Sequence, residues 1–346
     1  MLADELKKRK LPPLKSKDEM LQIMLSEEYG NLPPIPQRIL WEEIPLGIGT
    51  FCTGLASIKM IKCICEINGK VFSFPFKVTT PLSDGPHPFF VMINFRSDVP
   101  DRYLPIEEIV ENGYGVLSFN YEDITLDKPE FYSGLSGVLY ENGKRGENDC
   151  GKISMWAWAS HRLLDWAENH PEFDMSRAMV CGHSRLGKTA LVAAATDKRF
   201  VLAYSNDSGC MGAAISRDKE GERKEVICRV FPHWFTEKFN ARSTDESLLP
   251  FDQHYLLASI SPRFILIGSA HEDIWADPKS EMLNCVASSP VFEQDGVTGF
   301  CHPDRYAEIG EAFFDGNIGY HLRFGPHYFG RQDWLRLMEF AKLKLK

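Results

Sequence analysis

Short apolar runs alternate with helical segments along the chain from residue 88 onward. The runs have the length of buried strands, and the segments between them carry apolar residues at helical spacing. Because a strand that is followed by a helix re-enters its sheet parallel to the previous strand, this alternation predicts a mostly parallel sheet with helices on both faces. The predicted strands are Pro88–Phe95, Tyr114–Asn120, Ala178–Cys181, Val201–Ser205, Phe264–Ser269 and Ile318–Phe324, and the predicted helices are Pro105–Glu111, Ile153–Asn169, Gly187–Thr196, Pro278–Ala287 and Trp334–Leu343.

An antiparallel hairpin precedes this alternation. Ser57–Glu66 and Lys70–Thr79 are rich in Ile, Val, Phe and Thr, and Asn68-Gly69 lies between them. An Asn-Gly pair between two such runs is a strong hairpin signal because both residues adopt positive φ readily. We therefore expect an N-terminal antiparallel addition to the parallel sheet.

The chain outside these elements bears on domain organisation. Residues 1–37 contain a predicted polar helix around Lys17–Glu28 and then Leu-Pro-Pro-Ile-Pro, a composition typical of a segment that wraps or links rather than forms core. A length of 346 residues fits two ordinary domains or one large one. Because Cys210–Leu249 is long and mixed, we interpret about 210–250 as an insertion above the sheet, within a single domain of residues 38–346.

Composition excludes several classes of protein. The chain has 39 basic and 48 acidic side chains, a net charge of −9, which disfavours nucleic-acid binding because that needs a basic face. No apolar run approaches the roughly 20 residues that span a bilayer, and no apolar stretch follows the charges near Met1, so we expect a cytoplasmic protein without a membrane partner. The nine cysteines lack C-x-x-C spacing, which predicts free thiols and no metal site.

The most informative motif is Gly182-His183-Ser184-Arg185-Leu186-Gly187-Lys188-Thr189, between a predicted strand and a predicted helix. It matches the phosphate loop G-x-x-x-x-G-K-[ST], but its bulky residues and its late place in the sheet disfavour a nucleotide site. It also resembles a nucleophile elbow, in which Ser184 lies on a tight turn at the carboxyl end of a strand. The usual elbow glycine is two residues after the serine, whereas Gly187 comes three residues after it.

A serine nucleophile needs a histidine base and a carboxylate that orients the histidine. His327 lies in Gly325-Pro326-His327, directly after the last predicted strand, where the base of such an enzyme is expected. Two acids are candidates: Asp207 follows the strand after the elbow, and Asp273 follows the next strand. The nearby Asp277-Pro278 is better explained as a helix N-cap with proline at the first helical position.

With these residues in view, the sequence resembles carbohydrate esterase family 15, the glucuronoyl esterases, and especially their bacterial members. The resemblance runs from about residue 150 to residue 335, and residues 1–90 add little to it. It implies an α/β-hydrolase fold with no metal or cofactor. The matching pieces are Trp156-Ala-Trp158, Gly-His-Ser-Arg-Leu-Gly-Lys at 182–188, Asp-Ser-Gly-Cys-Met-Gly-Ala-Ala at 207–214, Phe-Pro-His-Trp-Phe at 231–235, Asp252-Gln-His254, Glu-Asp-Ile-Trp-Ala-Asp-Pro at 272–278 and Gly-Pro-His at 325–327.

The resemblance implies hydrolysis of esters of (4-O-methyl)glucuronic acid through an acyl-enzyme. In that reading Ser184 attacks, His327 transfers the proton, and Arg185 stabilises the oxyanion with its backbone N–H and guanidinium. The residues on substrate-binding positions are Lys188, Glu222 and Trp275. Cations at a helix N-terminus are electrostatically unfavourable, so we expect Arg185 and Lys188 to serve a ligand in a shared cleft.

The triad acid departs from the family pattern, because many members carry Glu where this chain has Asp207. The shorter side chain loses about 1.5 Å of reach, so we favour Asp273 and keep Asp207 as the alternative acid or a partner. Three other readings stay open: an acetyl xylan or broader carbohydrate esterase on the same scaffold, a silent carbohydrate-binding relative, and a nucleotide-binding protein. For a cytoplasmic enzyme we expect the substrate to be a small-molecule or oligosaccharide uronate ester rather than a polymer.

Overall fold

The computed structural model describes residues 1–48 and 50–346, and its centre is a ten-stranded sheet. The strand order is β1-β2-β3-β5-β4-β6-β7-β8-β10-β9. The six strands from β5 to β10 in this order are mutually parallel, and β1, β2, β3 and β9 pair antiparallel at the two edges. The strands are β1 Arg38–Ile44, β2 Ala56–Ile67, β3 Lys70–Pro81, β4 His87–Asn94, β5 Gly115–Asn120, β6 Phe173–His183, β7 Leu202–Asn206, β8 Phe264–Ala270, β9 Ala312–Phe313 and β10 Ile318–Arg323.

Helices cover both faces of the sheet, as the alternation of strands and helices predicts. Along β4, Phe89 and Val91 join the larger core cluster, whereas Phe90 and Met92 join the smaller one on the opposite face. This period-two division fits a central strand that is buried on both sides. The helices are α1 Leu2–Lys8, α2 Lys17–Met24, α3 Ile106–Glu111, α4 Gly134–Leu139, α5 Lys152–Ala167, α6 Arg185–Thr196, α7 Lys224–Val230, α8 Glu237–Ala241, α9 His254–Ser259, α10 Pro278–Gln294 and α11 Arg331–Lys344.

The predicted hairpin is confirmed, with positive φ at both Asn68 and Gly69. All twelve residues of β2 pair with β3 across this turn. The strand β1 adds a further antiparallel edge that the sequence pattern did not reveal. The predicted interior strands and helices are present, with their bounds shifted by a few residues in most cases.

The N-terminal segment differs from the expectation that residues 1–37 form no core. Leu2, Met20, Met24 and Tyr29 have no exposed surface and belong to the larger core cluster. The reason is that α2 carries apolar residues at helical spacing on the side that packs on α9, while its charged residues face outward. The segment therefore wraps the body and also contributes to its interior.

The region 210–250 contains only short helices, α7 and α8 among them, and its Phe235 and Phe239 are buried in the larger core cluster.

Nine free thiols are present, of which seven are buried. No helix in the described ranges has both the length and the apolar character that crossing a membrane requires.

The carboxyl ends of the parallel strands gather the candidate site residues at one edge of the sheet. Ser184 follows β6 and Asp207 follows β7 directly, Asp273 lies shortly after β8, and His327 lies shortly after β10. Ligands of parallel α/β sheets bind at this edge because the strand ends and the loops after them converge there.

Candidate active site

Ser184 occupies a strained turn between β6 and α6. Its backbone has φ 58° and ψ −127°, a conformation that a residue with a side chain adopts only when its surroundings enforce it. The backbone N–H of Ser184 donates to Asn206 O at 2.8 Å, which ties the turn to the end of β7. This geometry is that of a nucleophile elbow, with the serine side chain at the edge of the sheet.

Two glycines explain why the elbow departs from the usual spacing. A Cβ on Gly182 would lie 2.2 Å from Leu186 O, so only glycine fits where the strand passes the first turn of α6. A Cβ on Gly187 would lie 2.9 Å from Ser205 Oγ, so Gly187 is the residue at which α6 packs closely on β7. Leu186, at the usual glycine position, points into the core with no exposed surface.

The same turn does not have the contacts of a phosphate loop. Thr189 donates its hydroxyl to Arg185 O at 2.9 Å within the helix, whereas a phosphate loop turns this hydroxyl towards a cation. Lys188 is buried and donates to Ser208 O instead of projecting over the loop. The nucleotide-binding interpretation therefore has no support in the geometry.

His327 and Asp273 form a close pair. His327 Nδ1 lies 2.5 Å from Asp273 Oδ2, and the histidine side chain is 44% exposed whereas the carboxylate is 4% exposed. The second carboxylate oxygen of Asp273 accepts from the backbone N–H of Ala276 at 3.2 Å. A buried carboxylate on Nδ1 fixes the ring and leaves the other nitrogen, Nε2, for a proton transfer.

Asp207 lies beside this pair but has different partners. Its Oδ1 accepts from the backbone N–H of Ala270 at 2.7 Å, and its Oδ2 accepts from Arg323 Nη2 at 3.0 Å. Burial raises the pKa of Asp207 well above its usual range, and neighbouring Glu281 raises it further. Asp207 is thus held by the backbone and by Arg323, and Asp273 is the acid in contact with the histidine.

The three groups Asp207, Asp273 and His327 offer ligand atoms within 4.8 Å of one another, as a metal site would. However, Asp207 is paired with Arg323, and Asp273 is paired with His327. A cation would have to displace one of these partners. The expectation that no metal takes part stays a prediction.

Arg185 lies on the wall of the cleft and is held from behind by Asp127. Its Nη1 donates to Asp127 Oδ2, and its guanidinium lies 4.8 Å from the ring centroid of Trp234 and 5.2 Å from that of Phe231. A carboxylate of the chain therefore offsets part of the charge of Arg185, and the expectation that this cation serves a ligand stays a prediction. Arg185 nevertheless lines the same cleft as Ser184.

Asp127 has four partners and no spare acceptor for substrate. Besides Arg185 it lies 2.7 Å from His233 Nε2, accepts from Trp234 Nε1 at 2.7 Å and accepts from the Tyr121 hydroxyl at 3.2 Å. The hydrogen bond from His233 and the charge of Arg185 outweigh burial and hold the pKa of Asp127 well below its usual range. It therefore stays ionised and acts as a fixed anchor for the arginine.

The proposed substrate-binding residues meet in the same cleft. Lys188 is buried, and burial lowers the pKa of its amine. The backbone N–H of Glu222 donates to Trp275 O at 3.0 Å, which joins the loop of about 220–222 to the loop after β8. The Trp275 side chain is 55% exposed, so it forms part of the rim.

One cavity of about 320 Å³ brings these side chains together. It contains all eight residues that the sequence indicated, and it also contains aromatic residues from the 231–235 segment. The lining residues are Ser184, Arg185, Lys188, Asp207, Ser208, Gly209, Glu222, Phe231, Trp234, Asp273, Trp275, Ala276 and His327.

Comparison with known proteins decides the family. A family model described as "Glucuronyl esterase, fungi" matches residues 64–296, well over half of the chain. The chain belongs to the glucuronoyl esterases, carbohydrate esterase family 15. The resemblance inferred from the sequence is thereby confirmed.

Three relatives illustrate the similarity. The carbohydrate esterase MZ0003 from an unidentified prokaryote is 39% identical over 238 residues, which cover 68% of this chain and 55% of the relative. A 4-O-methyl-glucuronoyl methylesterase of Hypocrea jecorina is 28% identical over 301 residues, or 84% of this chain and 59% of the relative. Among solved structures, a promiscuous family 15 esterase from a marine bacterial metagenome superimposes with a TM-score of 0.84 at 30% identity, covering 94% of this chain and 90% of that one.

The chain therefore spans between half and two thirds of the length of these two curated relatives, but nearly the whole length of the solved structure. The α/β-hydrolase fold follows from this structural agreement and from the mostly parallel sheet.

The sequence analysis of this glucuronoyl esterase missed two charged residues of the site, Asp127 and Arg323. Each lies in or next to a loop with no recognisable motif, and each partner is distant in sequence. The ring of His183, next to the serine, packs at 4.3 Å from the His327 ring, and its Nδ1 lies 2.7 Å from Asn206 Oδ1. Burial lowers the pKa of His183 well below its usual range, so it packs against His327 as a neutral ring.

Proposed function

We propose that the chain is a serine carboxylic-ester hydrolase that cleaves esters of (4-O-methyl)glucuronic acid through an acyl-enzyme. One observation carries the proposal: the His327–Asp273 pair lies on the wall of the cavity that also contains the strained Ser184. Membership of the glucuronoyl esterase family supports the reaction class. The name of the Hypocrea jecorina relative, a 4-O-methyl-glucuronoyl methylesterase, supports the substrate class.

The first half of the reaction forms the acyl-enzyme. Ser184 Oγ attacks the ester carbonyl of the uronate while His327 Nε2 takes the serine proton, and the buried Asp273 stabilises the imidazolium that results. The C–O bond to the alcohol then breaks, and His327 returns the proton to the departing alkoxide. In the second half, water gives a proton to His327 Nε2 and attacks the acyl carbon. The bond between that carbon and Ser184 Oγ then breaks and His327 returns the proton to Oγ, which releases the uronic acid and restores Ser184.

Arg185 supplies the oxyanion stabilisation. Its backbone N–H is at the first position of α6, where no carbonyl of the helix can accept it, and its guanidinium is fixed by Asp127 and the aromatic rings. A donor that is fixed before the reaction stabilises developing negative charge without reorganisation. The N-terminal end of α6 adds its own partial positive charge.

Lys188, Glu222 and Trp275 form the part of the cavity that fits a sugar ring. A buried amine and a carboxylate offer a donor and an acceptor for ring hydroxyls, and the half-exposed indole offers an apolar face. We assign these three residues to the uronate ring and leave the open side of the cavity, beside His327, for the alcohol. The expected substrate is a small-molecule or oligosaccharide uronate ester.

Hydrolysis of the methyl ester of 4-O-methylglucuronic acid tests the proposal. The enzyme is expected to hydrolyse this ester, and Ser184→Ala is expected to lose activity by several orders of magnitude while it keeps its thermal unfolding temperature. An acetylated xylo-oligosaccharide is the comparison substrate. Preference for the acetyl ester would replace the proposed specificity with that of an acetyl xylan esterase, and Ser184 that does not react with a fluorophosphonate would indicate a silent binding protein.

The cytoplasmic location expected from the sequence stays a prediction, which fractionation of the source cells would test.

A further inference from the structure

Arg323 is a buried charged residue that the proposed chemistry does not use. It ends β10, and its side chain is 7% exposed. Its Nε donates to both oxygens of Asp333 at 2.8 and 3.0 Å, and its Nη2 donates to Asp207 Oδ2 at 3.0 Å. Two buried carboxylates therefore hold the guanidinium in one orientation.

The remaining N–H groups of this guanidinium bind the loop that carries His327. Nη1 donates to Phe324 O at 3.2 Å and to Pro326 O at 3.0 Å, and Nη2 donates to Tyr328 O. The carbonyls of Pro326 and Tyr328 lie on either side of His327 in the chain. All five N–H groups of Arg323 are thus in use, and three of them fix backbone that has left the sheet.

The loop that carries His327 is shaped so that its backbone curls around the Arg323 guanidinium. Gly325 has a φ of +104°, which favours glycine, and a Cβ there would lie 3.4 Å from Arg323 Nη1. Gly325 O accepts from the backbone N–H of Glu272 at 3.1 Å, immediately before Asp273. The loop curled around Arg323 is therefore joined to the loop that carries the partner of His327.

We propose that Arg323 is a positioning residue for His327: by binding the carbonyls on both sides of the histidine, it sets the imidazole against Asp273 and Ser184. The inference rests on the proposed function, in which His327 is the base. In this account Asp207 is a hydrogen-bond partner of Arg323. The Asp207 side chain, at the family's usual acid position, then supports the His327 loop through the arginine and through a long hydrogen bond of 3.5 Å from the Tyr328 N–H, without contacting the histidine itself.

The competing explanation is that Arg323 only stabilises a buried corner of the fold. The chain provides a matched control in Arg217, which is 5% exposed and pairs with Asp252 at 3.0 Å. Like Arg323, it donates to carbonyls of a loop, and none of those residues lines the catalytic cavity. The carbonyls are those of Ser247, Leu249 and Phe251.

The test compares Arg323→Lys with Arg217→Lys. A lysine keeps the charge but has one compact group of three donors, so it cannot bind two carboxylates and three carbonyls together. Because a misplacement of about 1 Å near the chemistry can cost 10²-fold, Arg323→Lys is expected to lower kcat about 10²-fold with KM within threefold. The same variant is expected to lose or broaden the low-field proton resonance of the His327 Nδ1–H that faces Asp273.

Arg217→Lys is expected to lower the unfolding temperature by about as much as Arg323→Lys does. Its kcat and the His327 resonance are expected to stay as in the wild type. Retention of kcat within threefold by Arg323→Lys, with the resonance intact, would overturn the inference. If the wild type hydrolyses no glucuronoyl ester, the proposed function fails. The resonance of Arg323→Lys then still decides whether the arginine positions the histidine.

A second variant covers the case in which Arg323→Lys does not fold. Combining Arg323→Met with Asp207→Asn and Asp333→Asn removes the buried cation together with both of its carboxyl partners, so no unpaired charge is left in the interior. This neutral variant lacks the donors to the loop and is expected to show the same loss of kcat and of the resonance. Asp207→Asn alone serves as its control, and a neutral variant with kcat within threefold of that control would contradict the inference.

Discussion

Replacing Asp273 by asparagine removes the charge that faces His327 while it keeps the size of the side chain. The two side chains are 2.5 Å apart, and Asp273 is 4% exposed, so water does not replace the lost partner. An amide that presents its NH₂ group to Nδ1 also favours the wrong tautomer of the histidine. We expect kcat on the methyl ester of 4-O-methylglucuronic acid to fall by about 10³–10⁴, which corresponds to about 4–5.5 kcal/mol in the barrier.

Asp207→Asn is the matched control for this experiment. Asp207 bonds to Arg323 and to the backbone N–H of Ala270, and Asp333 remains to pair with the arginine when the charge of Asp207 is lost. We expect kcat to fall by less than about tenfold, with KM nearly unchanged in both variants. Initial rates by pH-stat titration give kcat and KM, and circular dichroism checks that both variants fold. A loss above a hundredfold for Asp207→Asn with almost none for Asp273→Asn would refute the assignment of the acid.

Three further predictions concern the cations and a buried acid. Arg185→Met is expected to lower kcat by about 10²–10³ with a smaller effect on KM, measured on the same ester, because it removes a fixed oxyanion donor. Lys188→Met is expected to raise KM at least tenfold for the glucuronate ester but not for a simple aryl acetate, since its proposed partner is the sugar ring. Burial raises the pKa of Glu281 from 4.5 to about 8. Between pH 4.5 and pH 8 the folded state therefore holds a proton on Glu281 that the unfolded state has released. The free energy of unfolding then falls as pH rises, by up to about 1.4 kcal/mol per pH unit. Glu281→Gln is expected to flatten this dependence in urea unfolding at pH 5 and pH 7, and an unchanged slope would contradict it.

Much of the fold could be predicted from local patterns, because the parallel strands are continuous apolar runs and the turn at Asn68-Gly69 has a specific chemistry. The strand β1 was missed since it is an edge strand whose residues are all partly or fully exposed and whose apolar residues do not alternate regularly with polar ones. The helix α10 was predicted to end at Ala287, whereas it continues through Pro290 to Gln294. Tertiary packing there outweighs the hydrogen bond that the proline removes.

The candidate site divides in the same way. Ser184 and His327 could be predicted because each lies in a short motif next to a strand end. The sequence favoured Asp273 over Asp207 only through the shorter reach of an aspartate at position 207. The contact of Asp273 with His327 needed the three-dimensional structure, since both acids follow strands that end beside one another. Asp127 could not have been found, because its partner Arg185 is 58 residues away and the loop between them carries no periodic signal.

The most direct test of the central claim is to trap the acyl-enzyme. Intact-mass spectrometry of the enzyme, quenched in acid during turnover of the methyl 4-O-methylglucuronate ester, measures any covalent adduct. The account predicts a mass increase that equals one 4-O-methylglucuronoyl group, located by peptide mapping on Ser184 and absent from Ser184→Ala. Hydrolysis that continues at the wild-type rate in Ser184→Ala, or an adduct on a different residue, would contradict it.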